Sequence, residues 1–121
     1  MKSHKDLEVW KRSVSLVTFI YEITKTYPKE EIYGLTNQIR RSAVSISSNI
    51  SEGAGRSHTK EFVQFLYISL GSLSELETQV IISENLKLMS IDNSAKIQNE
   101  LTEIRKMILG LIRNLENKTS H

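Results

Sequence analysis

The sequence predicts an all-α protein, an antiparallel up-and-down four-helix bundle. Three observations carry this. Apolar residues recur at steps of three and four along four long stretches, no stretch alternates with period two, and one proline with five glycines leaves little material for turns. The 121 residues are expected to form one domain, 1–121, with helices at about 6–26, 35–54, 59–88 and 93–116. A chain of this length can bury a real core without staples.

The first segment places Leu7, Trp10, Val14, Val17, Tyr21 and Thr24 on one stripe, widened by Val9, Leu16, Phe19, Ile20 and Ile23. Trp10 reads as a core anchor, with an intersubunit contact as the alternative. Tyr27-Pro28 ends the segment, because residues before proline avoid helical geometry. Glu30 and Glu31 then fall near a helix start, where negative charge is favourable. Tyr33-Gly34 marks a short break.

The second segment is the unusual one. Leu35, Ile39, Ala43, Ile46 and Ile50 draw a helical stripe, yet Gln38, Arg40, Arg41, Ser42, Ser45, Ser47, Ser48, Asn49, Ser51 and Glu52 lie between them. Serine and asparagine compete for backbone hydrogen bonds and sit poorly in helix interiors. So many of them imply close helix approach, a buried hydrogen-bond network, or a surface for a partner. The segment ends at Gly53-Ala54-Gly55-Arg56-Ser57, where glycine suits a C-cap and Ser57 or Thr59 a following N-cap. A phosphate loop is rejected, since no strand precedes the glycines and the loop's lysine is missing.

In the third segment Phe62, Leu66, Ser69, Leu73, Leu76 and Val80 keep helical spacing, thickened by Phe65, Leu70 and Ile81 and interrupted by Gly71-Ser72. An antiparallel hairpin about Arg56 sets Gly71 opposite Arg41 and Ser42, and Tyr67 opposite Ser45. Leu88 to Asn93 connects to the fourth segment. There Ile97, Leu101, Ile104, Ile108, Leu111 and Leu115 hold strict three–four spacing, with Met107 and Ile112 beside them. Asn117 to His121 is expected to fray.

Composition narrows the function. Hydrophobic residues at 39% and charged residues at 25% are ordinary for a soluble globular protein. The chain has no cysteine, which excludes disulfides and thiolate zinc sites and agrees with the expected cytoplasmic location. A net charge of +2 permits contact with RNA or DNA without demanding it. The charged N-terminus lacks a signal peptide's apolar core, and no run is long enough to span a membrane.

The three histidines, His4, His58 and His121, are unpaired at i+4 and fit no Glu-x-x-His di-iron pattern. The serines of the second segment have no histidine among them, so a triad would have to recruit His58, and the Arg-x4–6-His spacing of a helical RNase is absent apart from an unrelated spacing at the tail. The expectation is no enzyme, no metal and no cofactor. Gln38, Arg41, Asn49, Glu52, Arg56, Glu75 and Glu77 remain. They read either as a polar network or interface between helices or subunits, or as part of a binding surface on which Arg40, Arg41, Arg56 and Lys60 meet phosphates.

The runs DLEVWKRSVSL, PKEEIYGLTNQIRRSAVSISSNISEGAGR and KEFVQFLYISLGSLSELETQV together resemble the proteins encoded in intervening sequences of bacterial 23S ribosomal RNA genes. The resemblance rests on Leu7, Trp10, Pro28, Glu31, Gly34, Leu35, Gln38, Ile39, Arg40, Ile46, Asn49, Ile50, Glu52, Gly53, Arg56, Gly71, Ser72, Glu75 and Glu77 in order. Ser51 stands where the family usually has alanine, and His4-Lys5 where it often has an aromatic. The resemblance implies an up-and-down bundle that assembles as a ring-like homopentamer, with no known catalytic activity. The fold also looks like that of the accessory protein of diversity-generating retroelements, which binds nucleic acid and a reverse transcriptase. The expected function is a non-enzymatic oligomer that binds RNA or other nucleic acid through basic patches. A structural or adaptor homo-oligomer that binds protein partners is the alternative.

Overall fold

The computed structural model describes residues 4 and 7–119, the last by its backbone alone. The expected helix start at residue 6 and His121 lie outside the described residues. Four helices dominate: α1 (Glu8–Thr24), α2 (Asn37–Ala54), α3 (Thr59–Asn85) and α4 (Ile91–Thr119). Each packs on the next and α1 closes back on α4, with the α2–α3 seam the most extensive. Among the described residues there is no strand. The all-α four-helix bundle expected from the spacing is the fold observed.

The α4 stripe behaves as its spacing requires. Ile97, Leu101, Ile104 and Ile108 are all fully buried. They meet Ile20, Ile39, Ile46, Leu66, Leu73 and Val80 in one core. Burying side chains of this kind is worth about 1.5–3 kcal/mol each relative to leaving them in water. In α1 the buried line is Val9, Ser13, Leu16, Ile20 and Thr24. The expected line through Val14 and Tyr21 is corrected, because both are more than a third exposed. Arg12 ties α1 to α4 through Nε and Nη2 on the two Glu100 oxygens, at 2.7 and 3.2 Å. The hydrogen bond and charge of Glu100 hold that proton more tightly than in a free arginine.

Helix ends follow local chemistry. Between α1 and α2 the chain makes a 3-10 turn over Lys29–Glu31 and a wide π-type turn over Ile32–Thr36. Gly34 breaks the helical path there with φ −110° and ψ −115°, and Glu31 Oε1 accepts from the Leu35 amide at 3.3 Å. At α3 the residue before the helix is His58 in extended geometry, with no side-chain cap. That corrects the expectation of Ser57 or Thr59. α3 ends at Asn85, three residues before the expected Leu88. Lys87 turns left-handed with φ 61°, while the Leu88 and Lys87 amides donate to the Ser83 and Glu84 carbonyls at 2.9 and 3.0 Å. This is a Schellman ending built without glycine. Ser90 Oγ then caps α4 by accepting from the Asn93 amide at 3.1 Å. α4 continues through 117–118, where fraying was expected.

Gly53, expected at the helix cap, lies inside the hairpin seam instead. Gly53 is buried inside α2, and a Cβ there would lie 2.7 Å from Phe65 Cβ and 2.8 Å from Phe62 Cδ1. It is the residue over which α2 and α3 approach. Gly71 is exposed, and a Cβ there would meet nothing within 4 Å. The hairpin register differs accordingly. Ser45 faces Ser72 and Ser42 faces Gln79. The expected Tyr67 and Gly71 partners are displaced because the chain turns after Arg56, over Ser57 and His58.

Among the described residues three buried hydroxyls, on Tyr27, Thr36 and Ser83, lack a hydrogen bond of good geometry. Burial pushes the Tyr27 phenol above its ordinary value of 10.0, and the nearby Ser83 hydroxyl only partly offsets that. The fold therefore favours the neutral phenol, while the unfolded chain loses that proton at lower pH. The resulting stability is complete below about pH 10 and falls as pH rises beyond it.

Two outcomes follow from these contacts. Gly53→Ala should lower stability by about 1–2 kcal/mol in urea unfolding, because the overpacking exceeds alanine's helix preference of about 1 kcal/mol. Tyr27→Phe should be neutral or slightly stabilising at pH 7 and should flatten the alkaline loss of stability. An unchanged alkaline limb would remove Tyr27 from that account.

Candidate interaction groove

α2 turns Ser42 and Ser45 toward α3, where both find partners, while Ser47 and Ser51 bond carbonyls within α2. Ser69 Oγ donates to the Ile46 carbonyl across the seam at 2.9 Å. Ser45 and Ser72 hydroxyls lie 2.7 Å apart, and Asn49 Nδ2 donates to the Ser45 carbonyl and hydroxyl at 2.8 and 3.0 Å. Ser42 Oγ lies 2.6 Å from the Gln79 amide oxygen, with the Gln38 carbonyl 3.0 Å away as a competing acceptor. These bonds satisfy groups that burial would otherwise penalise by about 1–3 kcal/mol each. Ser42, Ser45 and Gln79 also line an open groove.

The groove has a volume of about 540 Å³ and is lined by Gln38, Arg41, Ser42, Ser45, Glu75 and Gln79. Arg41 and Glu75 are both exposed, and neither forms a salt bridge among the described residues. The groove thus offers one cation, one anion and several amide and hydroxyl groups. It contains no histidine beside its serines, so no nucleophile–base pair is assembled there.

Of the nine candidate residues, Gln38, Arg41 and Glu75 meet in this groove, and Asn49 hydrogen-bonds its lining residue Ser45. The others are elsewhere. Arg40 points to α1, where Nε donates to Thr24 Oγ1 at 2.8 Å and the guanidinium lies 4.5 Å from the Tyr21 ring centroid. Glu77 turns to α4 and pairs with Arg105 at 3.2 Å. Glu52 pairs with Arg56 at 3.4 Å, and Arg56 also stacks on Phe65 at 4.9 Å. Arg56 lines a separate cleft at the α2–α3 turn, with His58 and Lys118. Lys60 is exposed at the start of α3. The four basic residues therefore do not share one surface. Gln79 was missed, although its place four residues after Glu75 puts both on one face of a helix.

Among the described residues no group of His, Cys, Asp or Glu could hold a metal ion. No helix among them is long and apolar enough to cross a membrane.

The sequence profile of the 23S rRNA-intervening sequence protein family matches residues 5–110. The chain belongs to that family. Among curated proteins, none matches this chain. A crystal structure of a protein of unknown function from the S23 ribosomal protein family of Bacteroides thetaiotaomicron is similar, with a TM-score of 0.79 and 25% identity. The similarity covers 86% of this chain and 97% of that one. In this member of the 23S rRNA-intervening sequence protein family, Arg40 and Glu77 tie helices together while Gln38 and Glu75 line the groove.

The two adjacent arginines should separate in a stability measurement. Arg40→Ala should cost about 1 kcal/mol, since it loses a side-chain hydrogen bond and an aromatic contact. Arg41→Ala should stay within about 0.5 kcal/mol. Equal losses in chemical denaturation would contradict the division.

Proposed function

We propose that this chain is a non-catalytic module that associates with copies of itself. The observation that carries the reading is the outer surface of α3. Scattered apolar side chains on a protein surface need no explanation, but a concentration on one element does. Tyr67, Ile68, Ile81 and Ile82 in α3, with Leu86 at its end, are between 42% and 60% exposed. Residues 62–74 of that helix carry no charge at all. A helix that is apolar on most sides is ordinarily covered on most sides. Membership of a family whose resemblance implies a ring-like homopentamer supports the same reading.

Nucleic-acid binding draws less support. Arg40 and Arg56 are engaged within the chain, which leaves Arg41 and Lys60 as separated cations rather than a phosphate-binding face. Repetition around a ring could still add weak contacts together.

Light scattering at micromolar concentration tests the proposal. The expected mass is a multiple of the 13.9 kDa chain, and five copies is the multiple the family resemblance supplies. A monomer sinks the reading. A salt-sensitive gain of mass with structured RNA would restore nucleic acid as a partner.

A further inference from the structure

α1 and α3 stand at opposite corners of the bundle, since each helix packs on the next in order and α1 closes on α4. Each corner keeps apolar side chains outside the core. On α3 they are Tyr67, Ile68, Ile81 and Ile82, and on α1 they are Val14 and Tyr21, 37% and 40% exposed. Val44 of α2 extends the α1 patch. It is exposed, and it lies one turn beyond Arg40 on the same side of α2, where Arg40 covers the Tyr21 ring.

The two corners differ in charge and in relief. Lys11, Val14, Thr18, Tyr21 and Lys25 follow one another at steps of three and four, so α1 presents an exposed line with a cation at each end and no carboxylate on it. Glu8 and Glu22 pair with those lysines at 3.3 and 3.0 Å, but exposed pairs of this kind are weak and leave the lysines open to another carboxylate. α3 is the converse. From Tyr67 to Ile81 it carries no cation, and its two charges are Glu75 and Glu77. Glu77 is taken by Arg105, while Glu75 is exposed and forms no salt bridge among the described residues. The outward line of α3, Tyr67, Gly71, Ser74, Thr78 and Ile81, is low in the middle, and a Cβ at Gly71 would meet nothing within 4 Å. The α1 line is high where that one is low, with Val14 and Tyr21 on either side of Thr18.

We infer that the exposed side of α3 in one copy of this chain docks on the α1 corner of the next copy, around Val14 and Tyr21. Val14 and Tyr21 fill the low centre of α3, and Glu75 meets the lysine-edged line. Pairing α3 with α3 would set Glu75 against its own copy and leave Val14, Tyr21 and Val44 bare. A phosphate backbone would be repelled by Glu75 and gain nothing from the isoleucines. Because the two surfaces differ and occupy opposite corners, each copy can use both at once. A head-to-tail contact of this kind is the one that builds rings. This inference rests on the self-association proposed above and adds which surfaces meet.

Val14→Arg and Gly71→Arg test it, each checked for helicity by circular dichroism and read by light scattering beside the wild-type chain. Both positions open to solvent, so helicity should be retained, and each variant alone should associate at least tenfold more weakly. Mixed, the two should bind one another, since Val14→Arg keeps its α3 surface and Gly71→Arg keeps its α1 surface. That complex should stop at twice the chain mass. If the wild-type chain is a monomer, the self-association reading fails and this inference fails with it. If the wild-type chain assembles and either folded variant assembles equally well, or the mixture gains nothing, only the choice of surfaces is overturned. Should either variant fail to fold, alkylation of Thr18→Cys and Gly71→Cys decides, since the chain has no native cysteine. Modification at both should be at least tenfold slower in the assembled state than after dilution to monomer. Equal rates at either position would overturn the pairing.

Discussion

The bundle depends on how closely α2 can lie against α3. Gly53 presents only a hydrogen to Phe62 and Phe65, and the helices settle into the space a methyl group would need. Farther along the seam, Ser69 reaches the Ile46 carbonyl and Ser45 reaches Ser72. These contacts require small side chains on both helices. Larger residues would fill the gap but remove the hydrogen bonds and push the apolar layers apart. Ser42 and Ser45 of α2 thus suit the approach, and the polar bonds they make across the seam fix the register.

The rest of the molecule is arranged around that seam. α4 contributes a nearly continuous aliphatic edge that closes the core, and α1 is held to α4 by the two-point contact of Arg12 with Glu100. Arg40 does similar work between α1 and α2, with its guanidinium on Tyr21. Charges engaged in this way position the helices relative to one another.

The architecture was legible because its signal is periodic. Ile97, Leu101, Ile104 and Ile108 could be placed in the core from spacing alone, and they are there. Features set by angle or by one backbone torsion were not legible. Arg40 and Arg41 are neighbours in sequence, but about 100° of helix rotation sends one to α1 and the other into the groove. Gly53 and Gly71 look equivalent in a string, and only the facing phenylalanines distinguish them. The end of α3 was misplaced because its left-handed residue is Lys87, which carries no sequence signal for that conformation. For the groove, Gln38, Arg41 and Glu75 could be chosen from polarity on helical segments. Their company with Ser42, Ser45 and Gln79 needed the true hairpin register.

The unpartnered hydroxyls have a consequence of their own. Tyr27 follows α1, Thr36 precedes α2 and Ser83 lies in the last turn of α3, so an up-and-down path brings all three to the same end of the bundle. At the opposite end, Gly53 is locked beneath two aromatic rings. Admitting water costs least where it relieves unsatisfied polar groups and most where it must part close-packed apolar ones. Local opening is therefore expected to cost less at the end that holds these hydroxyls than at the end packed around Gly53.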